Sequence, residues 1–370
     1  MDKLDIFEVR SACYDMPQAE KNVWLLERMN HVIGHHRELC LPYKQLLEGG
    51  SFPAVFEDLS QIPYIPTTIF KEFELISQVE SGAKVKAIQS SSTSSGIPSQ
   101  IFVDEQTSLR QRKSLQMIFD SYLGNERRPY IIFDAVETAR GRNTLSARGA
   151  AIMSLMGYAS EFHFVMDLID GQLVLNKDKL LHAIAQGQQA GNLIAYGFTY
   201  ILYQASEQMK QMGITVQGLG DQTFFVHSGG WKRLQHLAVE KPEFNRGIAE
   251  LWNVSPGQVV DFYGLVEQSG VVYPDCFYGN KHVPHYADII IREPHTLRPL
   301  PKGETGLIQL ISALPLSSPN HSIMTDDLGQ IVSIDECPCG RKGKAFRFIG
   351  RAPKVEIRGC GDVYAQENAK

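Results

Sequence analysis

The chain has 370 residues, 43% hydrophobic and 21% charged, with a net charge of −5. That is the makeup of a globular protein with a sizeable core, and no basic run marks it as a nucleic-acid binder. No stretch nears the roughly eighteen apolar residues of a membrane span, the N-terminus lacks the apolar region of a signal peptide, and six Cys are too sparse for a disulfide framework; a reducing, cytoplasmic setting is expected. From Asp5 to about Glu48, Trp24, Leu25, Met29, Val32 and Ile33 recur at helical spacing, so residues 1–60 are read as an N-terminal helical region. "FEDLSQIPYIPTTIFKEFELIS" carries Pro63 and Pro66 and reads as a crossing segment into a short helix. "KVKAIQ" is a short strand, "IFVD" follows a Ser-rich loop, and a helix is predicted from Glu105 to about Leu123. Tyr130–Phe133 reads as a buried strand and Ala147–Gly157 as helix-like. Two helical stretches, "LLHAIAQGQQAGN" and "YILYQASEQMKQMG", bracket the strand "LIAYGF". "TFFVHSGG", "VVDFYGLVEQSG" and "ADIIIREP" read as strands with loops after them, and "GETGLIQLISAL" and "GQIVSID" as hairpin-like β elements. Alternating strands and helices predict a layered α/β domain over 61–350.

In such folds ligands bind where loops leave the carboxyl ends of the strands, and four such loops carry unusual residues. In "SSSTSSGIPSQ", Ser90 to Gln100, Ser91, Ser92, Thr93, Ser94, Ser95 and Gly96 form a run of small donors before a Pro exit. Ser and Thr compete for backbone hydrogen bonds, and Gly permits positive φ, so the run is a loop suited to a polyanion such as a triphosphate, or simply a linker. Ser228, Gly229 and Gly230 end the strand that carries His227. Tyr263, Gly264 and Glu267 lie in "FYGLVEQSG", and Asp327 in "MTDDLG". Taken singly, each has an ordinary reading: a rim aromatic, a solvated acid, a turn residue, a satisfied histidine. The P-loop, dinucleotide-fold and nucleophile-elbow signatures are all missing, which disfavours P-loop enzymes, self-contained dehydrogenases and α/β-hydrolases.

Together and in this order, the motifs resemble the adenylate-forming (acyl-activating) enzymes. The resemblance implies phosphate binding by the Ser-rich loop, although the Lys usual after its Pro is replaced by Ser99 and Gln100. It implies a Gly-Gly turn against adenine at residues 228–230, Tyr263 beside adenine, Glu267 as the magnesium ligand and Asp327 on the ribose hydroxyls. "FIGRAPKVEIRG" resembles the family's hinge, with Arg351 matching and Pro353 in place of the Asp. "IPYIPTTIFKEFEL" and the closing "CPCGRKGKAFRFIGR…VEIRGCGDV" are similar to the acyl-protein synthetase family of the bacterial bioluminescence fatty-acid reductase. That resemblance implies ATP and Mg as cofactors, a long-chain fatty acid as substrate, and a reductase subunit, with an acyl-transferase subunit, as partners. Nineteen residues follow Arg351, so the mobile second domain of the wider superfamily, with its catalytic Lys, is expected to be reduced to a tail over 351–370.

Cys360 lies between Gly359 and Gly361, sterically open and beside Arg358, a setting that favours thiolate. The expected reaction is activation of the fatty acid as acyl-AMP and its transfer to Cys360 as a thioester, with Glu267 and Arg351 assisting. Two alternatives remain open: an acyl-CoA ligase of the phenylacetate type, which "CPCGR" also resembles, and a non-catalytic scaffold subunit. Cys276, His282, Cys337 and Cys339 form a set that could hold zinc, though Cys-x-Cys is tighter than a usual finger knuckle. Cys13 and Cys40 read as small core hydrophobes.

Overall fold

A computed structural model describes residues 5–7, 12–77, 85–90, 98–139, 147–231 and 236–352. Helix α1 (Gln18–Leu39) turns Leu25, Met29, Val32, Ile33 and His36 inward at three- to four-residue spacing. The N-terminal helical pattern expected from the sequence is carried by two helices. Cys40 is extended and α2 (Leu41–Gly49) restarts with Pro42 in its first turn, because a proline inside a helix lacks the N–H and clashes with the preceding turn. Residues 5–7 and 12–17 are not helical. A two-residue strand β1 (Ile65–Pro66), a short α3 (Ile69–Glu72) and the hairpin β2 (Lys86–Gln89)–β3 (Gln100–Val103) follow.

Helix α4 (Glu105–Leu123) has the predicted limits for chemical reasons. The Asp104 carboxylate accepts from Thr107 N at its start, and Gly124, at φ +70°, ends it. Then come β4 (Arg128–Ile132), α5 (Ala147–Ser154), β5 (Ala159–Phe164), the hairpin β6 (Met166–Ile169)–β7 (Gln172–Leu175), α6 (Lys177–Ala190), β8 (Ile194–Phe198), α7 (Thr199–Gln211), β9 (Phe224–Ser228), α8 (Lys241–Trp252) and β10 (Val259–Tyr263). Strands β10, β9, β8, β4 and β5 lie side by side and parallel, with β11 (Tyr273–Pro274) antiparallel on the β10 edge. β4 and β8 are buried along their whole length, because α5, α6, α7 and α8 cover the sheet.

The second sheet is antiparallel. It runs in the order β12 (Lys281–His282), β16 (Lys344–Arg351), β15 (Ser322–Ile334), β14 (Thr305–Ser312), β13 (Ala287–Arg292), and β1 joins β15 in parallel. The α1 face shares one apolar core with this sheet, where Leu25, Met29, Val32 and Ile33 belong with Tyr286, Ile289, Leu310 and Leu314. A buried ion pair crosses the same interface: Lys21 Nζ lies 3.1 Å from Asp288, which also holds Lys344 Nζ at 2.7 Å.

One contact in this core is sensitive to acid. The buried rings of His36 and His321 stack with centroids 5.0 Å apart and planes 9° from parallel. His36 Nδ1 meets Ser77 Oγ at 2.6 Å, and His321 Nε2 meets the Tyr43 hydroxyl at 2.9 Å. Burial, and then the neighbouring histidines, push His36 well below its ordinary value and His321 down to about 3. Both rings are neutral in the folded chain, whereas in the unfolded chain they take up protons near pH 6.5. The unfolded state thus binds more protons below that pH, and stability falls as pH drops from about 6.5 towards 4. The thermal midpoint is expected to fall by several degrees between pH 7 and pH 5, and His321→Gln to flatten that dependence. A midpoint independent of pH over this range would contradict the neutral pair.

Candidate active site at the junction of the two sheets

The carboxyl end of β10 lies against β15 of the antiparallel sheet. Tyr263 ends β10, and its hydroxyl donates to Asp327 Oδ2 of β15 at 2.8 Å. Burial, and then the charge of Asp327, hold the Tyr263 hydroxyl well above its ordinary value, so it stays protonated and remains a donor. Burial also raises the Asp327 carboxyl, while the Tyr263 hydrogen bond and Arg351 oppose that rise. Register explains the third member: Arg351 is the direct partner of Asp327 across the β15–β16 ladder, and its Nε lies 3.8 Å from Oδ1. The ring of Tyr263 stacks on Phe348 of β16, with centroids 5.3 Å apart.

Glu267 sits in the turn Val266–Gln268 just past β10 and is 7% exposed. Asn320 Nδ2 donates to its backbone carbonyl at 2.7 Å, and the Glu267 charge acts on Asp327. A close approach shapes this turn. Gly270, at φ +93°, is so near α4 that a Cβ there would lie 2.9 Å from Gln111 Cα, and its carbonyl accepts from Ser114 Oγ at 2.6 Å. Gly264 is crowded in the same way, its Cβ position 3.1 Å from Val272.

The Gly-Gly turn after β9 is held by a residue that the sequence reading passed over. The Thr199 hydroxyl donates to the Gly229 carbonyl at 2.8 Å, and it lies 3.2 Å from the Ser228 carbonyl and 3.0 Å from His227 Nδ1. Gly229 needs its φ of +77°, and Gly230 is exposed beside it. Ser228 Oγ meets the Tyr196 hydroxyl at 3.0 Å. His227 turns away from the crevice: its ring packs on Phe244 of α8, 4.7 Å between centroids, and burial pushes it down to about 4. Beyond it, Asp261 pairs with Lys281 Nζ at 2.8 Å, and Asp275 with Lys241 and Lys281. Asp134, past β4, was likewise passed over; it holds Arg148 Nε at 2.8 Å and the Thr138 hydroxyl at 2.7 Å. A polar residue directly after an apolar strand, as in "YGFT" and "IIFD", was the available signal.

Ser91, Ser92, Thr93, Ser94, Ser95, Gly96 and Cys360 lie outside the described residues. The neck of the Ser-rich loop is described. Ser90 N donates to the Ser99 carbonyl at 3.0 Å and Ser99 N to Ser90 Oγ at 2.9 Å, which closes the β2–β3 hairpin. β3 packs against the Val266–Gln268 turn that carries Glu267. Cys276, His282, Cys337 and Cys339 form a separate cluster, with all four ligand atoms within 4.8 Å of one another.

A parallel sheet with a glycine turn at β9, joined through a Tyr–Asp bond to an antiparallel sheet, defines the adenylate-forming ligase fold. In agreement, the chain superposes on the open conformation of a 2-hydroxyisobutyryl-CoA ligase with a TM-score of 0.69 at 17% identity, covering 97% of this chain and 83% of that one. The model of the family described as acyl-protein synthetase, LuxE, matches residues 5–368, and the chain belongs to that family. It is 28% identical over 329 residues to a long-chain-fatty-acid–luciferin-component ligase of Vibrio harveyi, covering 86% of this chain and 81% of the relative. A protein of the same description from Aliivibrio fischeri is 25% identical over 311 residues, with 82% and 77% covered. Among the described residues no helix is long and apolar enough to cross a membrane.

Thr199→Val removes a buried hydroxyl and leaves the Gly229 carbonyl without its donor, which should cost about 1–2 kcal/mol. Urea unfolding measures it, and an unchanged midpoint would show that the turn holds without the hydroxyl.

Proposed function

We propose that this chain activates a long-chain fatty acid with ATP as acyl-AMP in the crevice between the two sheets, and takes the acyl group onto its own Cys360. Family membership and the curated relatives support the acid and the ligase class. The observation that carries the cysteine step is where the strand ends. Ala352 N donates to the Asp326 carbonyl at 2.8 Å, so the chain leaves β16 beside Asp327 itself. The eight residues from there to Cys360 reach at most about 28 Å when extended, which brings a thiol within range of the crevice.

In the first step a carboxylate oxygen of the fatty acid attacks the α-phosphorus, and pyrophosphate leaves with the electron pair of the broken P–O bond. Tyr263 and the 228–230 turn bracket the base, Asp327 accepts from the ribose hydroxyls, and the Ser-rich loop donates to the phosphates. The residues at the junction suit a hard cation: Glu267 is a buried carboxylate whose charge adds to that of Asp327, and neither glutamate oxygen is taken by an ion pair among the described residues. Glu267 would hold magnesium, which when bound neutralises charge on the phosphates. In the second step the Cys360 thiolate attacks the acyl carbonyl. AMP departs with the electron pair of the mixed-anhydride bond, the thiol proton passes to solvent, and a thioester remains. The thioester is the form a reductase subunit would receive, with an acyl-transferase subunit as the source of the acid.

Intact-mass measurement after incubation with ATP, magnesium and tetradecanoic acid should show one hydroxylamine-labile acyl group per chain. Cys360→Ser should lose it and keep ATP–pyrophosphate exchange. Exchange with acyl transfer to CoA but no acyl-enzyme would favour the CoA ligase, and no exchange at all the scaffold. Glu267→Gln should lower exchange about 100-fold, since the carboxylate that would hold magnesium on the phosphates is lost. Asp327→Asn should raise the KM for ATP about tenfold with a smaller change in kcat. Wild-type exchange in both variants would remove these two residues from the site.

A further inference from the structure

A second cluster lies outside the proposed reaction. Cys276 follows β11, His282 ends β12, and Cys337 and Cys339 sit in the turn between β15 and β16. Cys276 Sγ is 3.9 Å from Cys337 Sγ, while Cys339 Sγ is 3.4 Å from Cys337 Sγ and 3.2 Å from His282 Nε2. A disulfide needs about 2.05 Å between sulfurs, so none of these pairs is bonded. Around a tetrahedral ion with Zn–S of about 2.3 Å and Zn–N of about 2.0 Å, ligand atoms stand roughly 3.5–3.8 Å apart, and the observed distances straddle that value.

Polar groups and a cation surround the sulfurs. The Cys276–Asn280 turn closes on itself: Gly279 N donates to the Cys276 carbonyl at 2.7 Å and Cys276 N to the Asn280 carbonyl at 2.9 Å. Asn280 Nδ2 approaches Cys337 Sγ at 3.6 Å. The turn has the shape for it: Gly340, at φ +85°, donates to the Cys337 carbonyl at 2.9 Å and folds both cysteines to one side. Arg341 lies 4.1 Å over the Tyr122 ring, and its charge acts on Cys339. A permanent cation stands at the edge of the sulfur cluster.

We propose that Cys276, His282, Cys337 and Cys339 bind one structural zinc ion in a closed tetrahedral site. Three sulfurs and an imidazole are the soft and borderline donors that select zinc over magnesium. Four protein ligands leave no open position, so the ion is structural and takes no part in the reaction. On binding, three thiols release their protons to solvent as three Zn–S bonds and one Zn–N bond form. The product carries one negative charge, which Arg341 faces. The ion ties the β11–β12 segment to the root of β16, the strand whose far end carries Arg351 opposite Asp327.

Full-length protein from zinc-supplemented growth, purified under reducing agent, should hold about one zinc per chain by elemental mass spectrometry, and the Cys337→Ser/Cys339→Ser variant less than about a tenth of that. Chelation should lower the thermal midpoint by several degrees, with recovery on adding zinc and none on adding magnesium. Because the double variant risks failing to fold, cobalt added to chelated wild-type chain gives a second measurement. A tetrahedral tris-thiolate site shows intense visible bands and a sulfur-to-cobalt charge-transfer band. Wild-type protein that keeps no zinc and gives no such spectrum would overturn the proposal. So would a Cys276–Cys337 disulfide in reduced preparations, or chelation that abolishes ATP–pyrophosphate exchange without moving the midpoint.

Discussion

The hydrogen bond from Tyr263 to Asp327 is the contact on which the architecture of the crevice depends. It joins the last parallel strand of one sheet to a central strand of the other. Asp327 is buried and Tyr263 half-buried, so the carboxylate has little water to turn to if the hydroxyl moves. A bond from a neutral hydroxyl to a buried carboxylate contributes about 1.5–3 kcal/mol, and losing one partner costs the desolvation of the other as well. The position of the β10 end relative to β15 is therefore set within hydrogen-bond tolerance. Glu267 follows β10 by a few residues, and Arg351 faces Asp327 through the ladder, so both inherit that alignment.

Around this bond the two sheets have different tasks. The parallel sheet is covered on both faces and supplies loop ends, where Thr199, the Gly229 turn and Tyr263 lie in succession. The antiparallel sheet supplies a long strand, β15, interrupted by irregular register at Leu328–Gly329, immediately after Asp327. Such an irregularity re-aims the side chains beside it. Gly270 shows how tightly the halves are fitted: the turn carrying Glu267 touches the backbone of α4, leaving no space for even a methyl group. The N-terminal helices are part of this body, since α1 closes the core of the antiparallel sheet and Lys21 reaches Asp288 within it.

Local chemistry made much of the fold legible. Helix α4 could be bounded because Asp104 and Gly124 are a cap and a stop, and the strands around Tyr130, Ala195 and Val226 because their apolar runs are short. The N-terminal apolar period continues past Pro42, but the missing N–H there divides it into two helices. Among the elements that went unread, α8, the β6–β7 hairpin and β16 have a physical account. Helix α8 has Phe244, Ile248, Leu251 and Trp252 on one face. The β6–β7 hairpin turns on Asp170-Gly171, both at positive φ, the two-residue turn that Asp-Gly favours. Strand β16 was hidden because its outward residues, Phe348 and Ile349, are apolar and exposed, which obscures the alternation.

By itself the sequence determined the family, the order of the motifs and the residue types each carries, because a Gly-Gly turn or a Cys-x-Cys is a local property of the chain. Which of them meet was decided by tertiary structure. Asp327 lies 64 residues from Tyr263, and Cys337 lies 61 from Cys276, and nothing in either stretch encodes the distance between them. Thr199 and Asn320 acquired a place in the crevice only because strand pairing brought a hydroxyl under the Gly229 carbonyl and an amide under that of Glu267. His227, ambiguous in sequence, was turned towards α8 by strand alternation, since Ser228 next to it faces Tyr196 instead. Contacts of this kind depend on register and sheet order, which are set by burial of the whole core and not by any one segment.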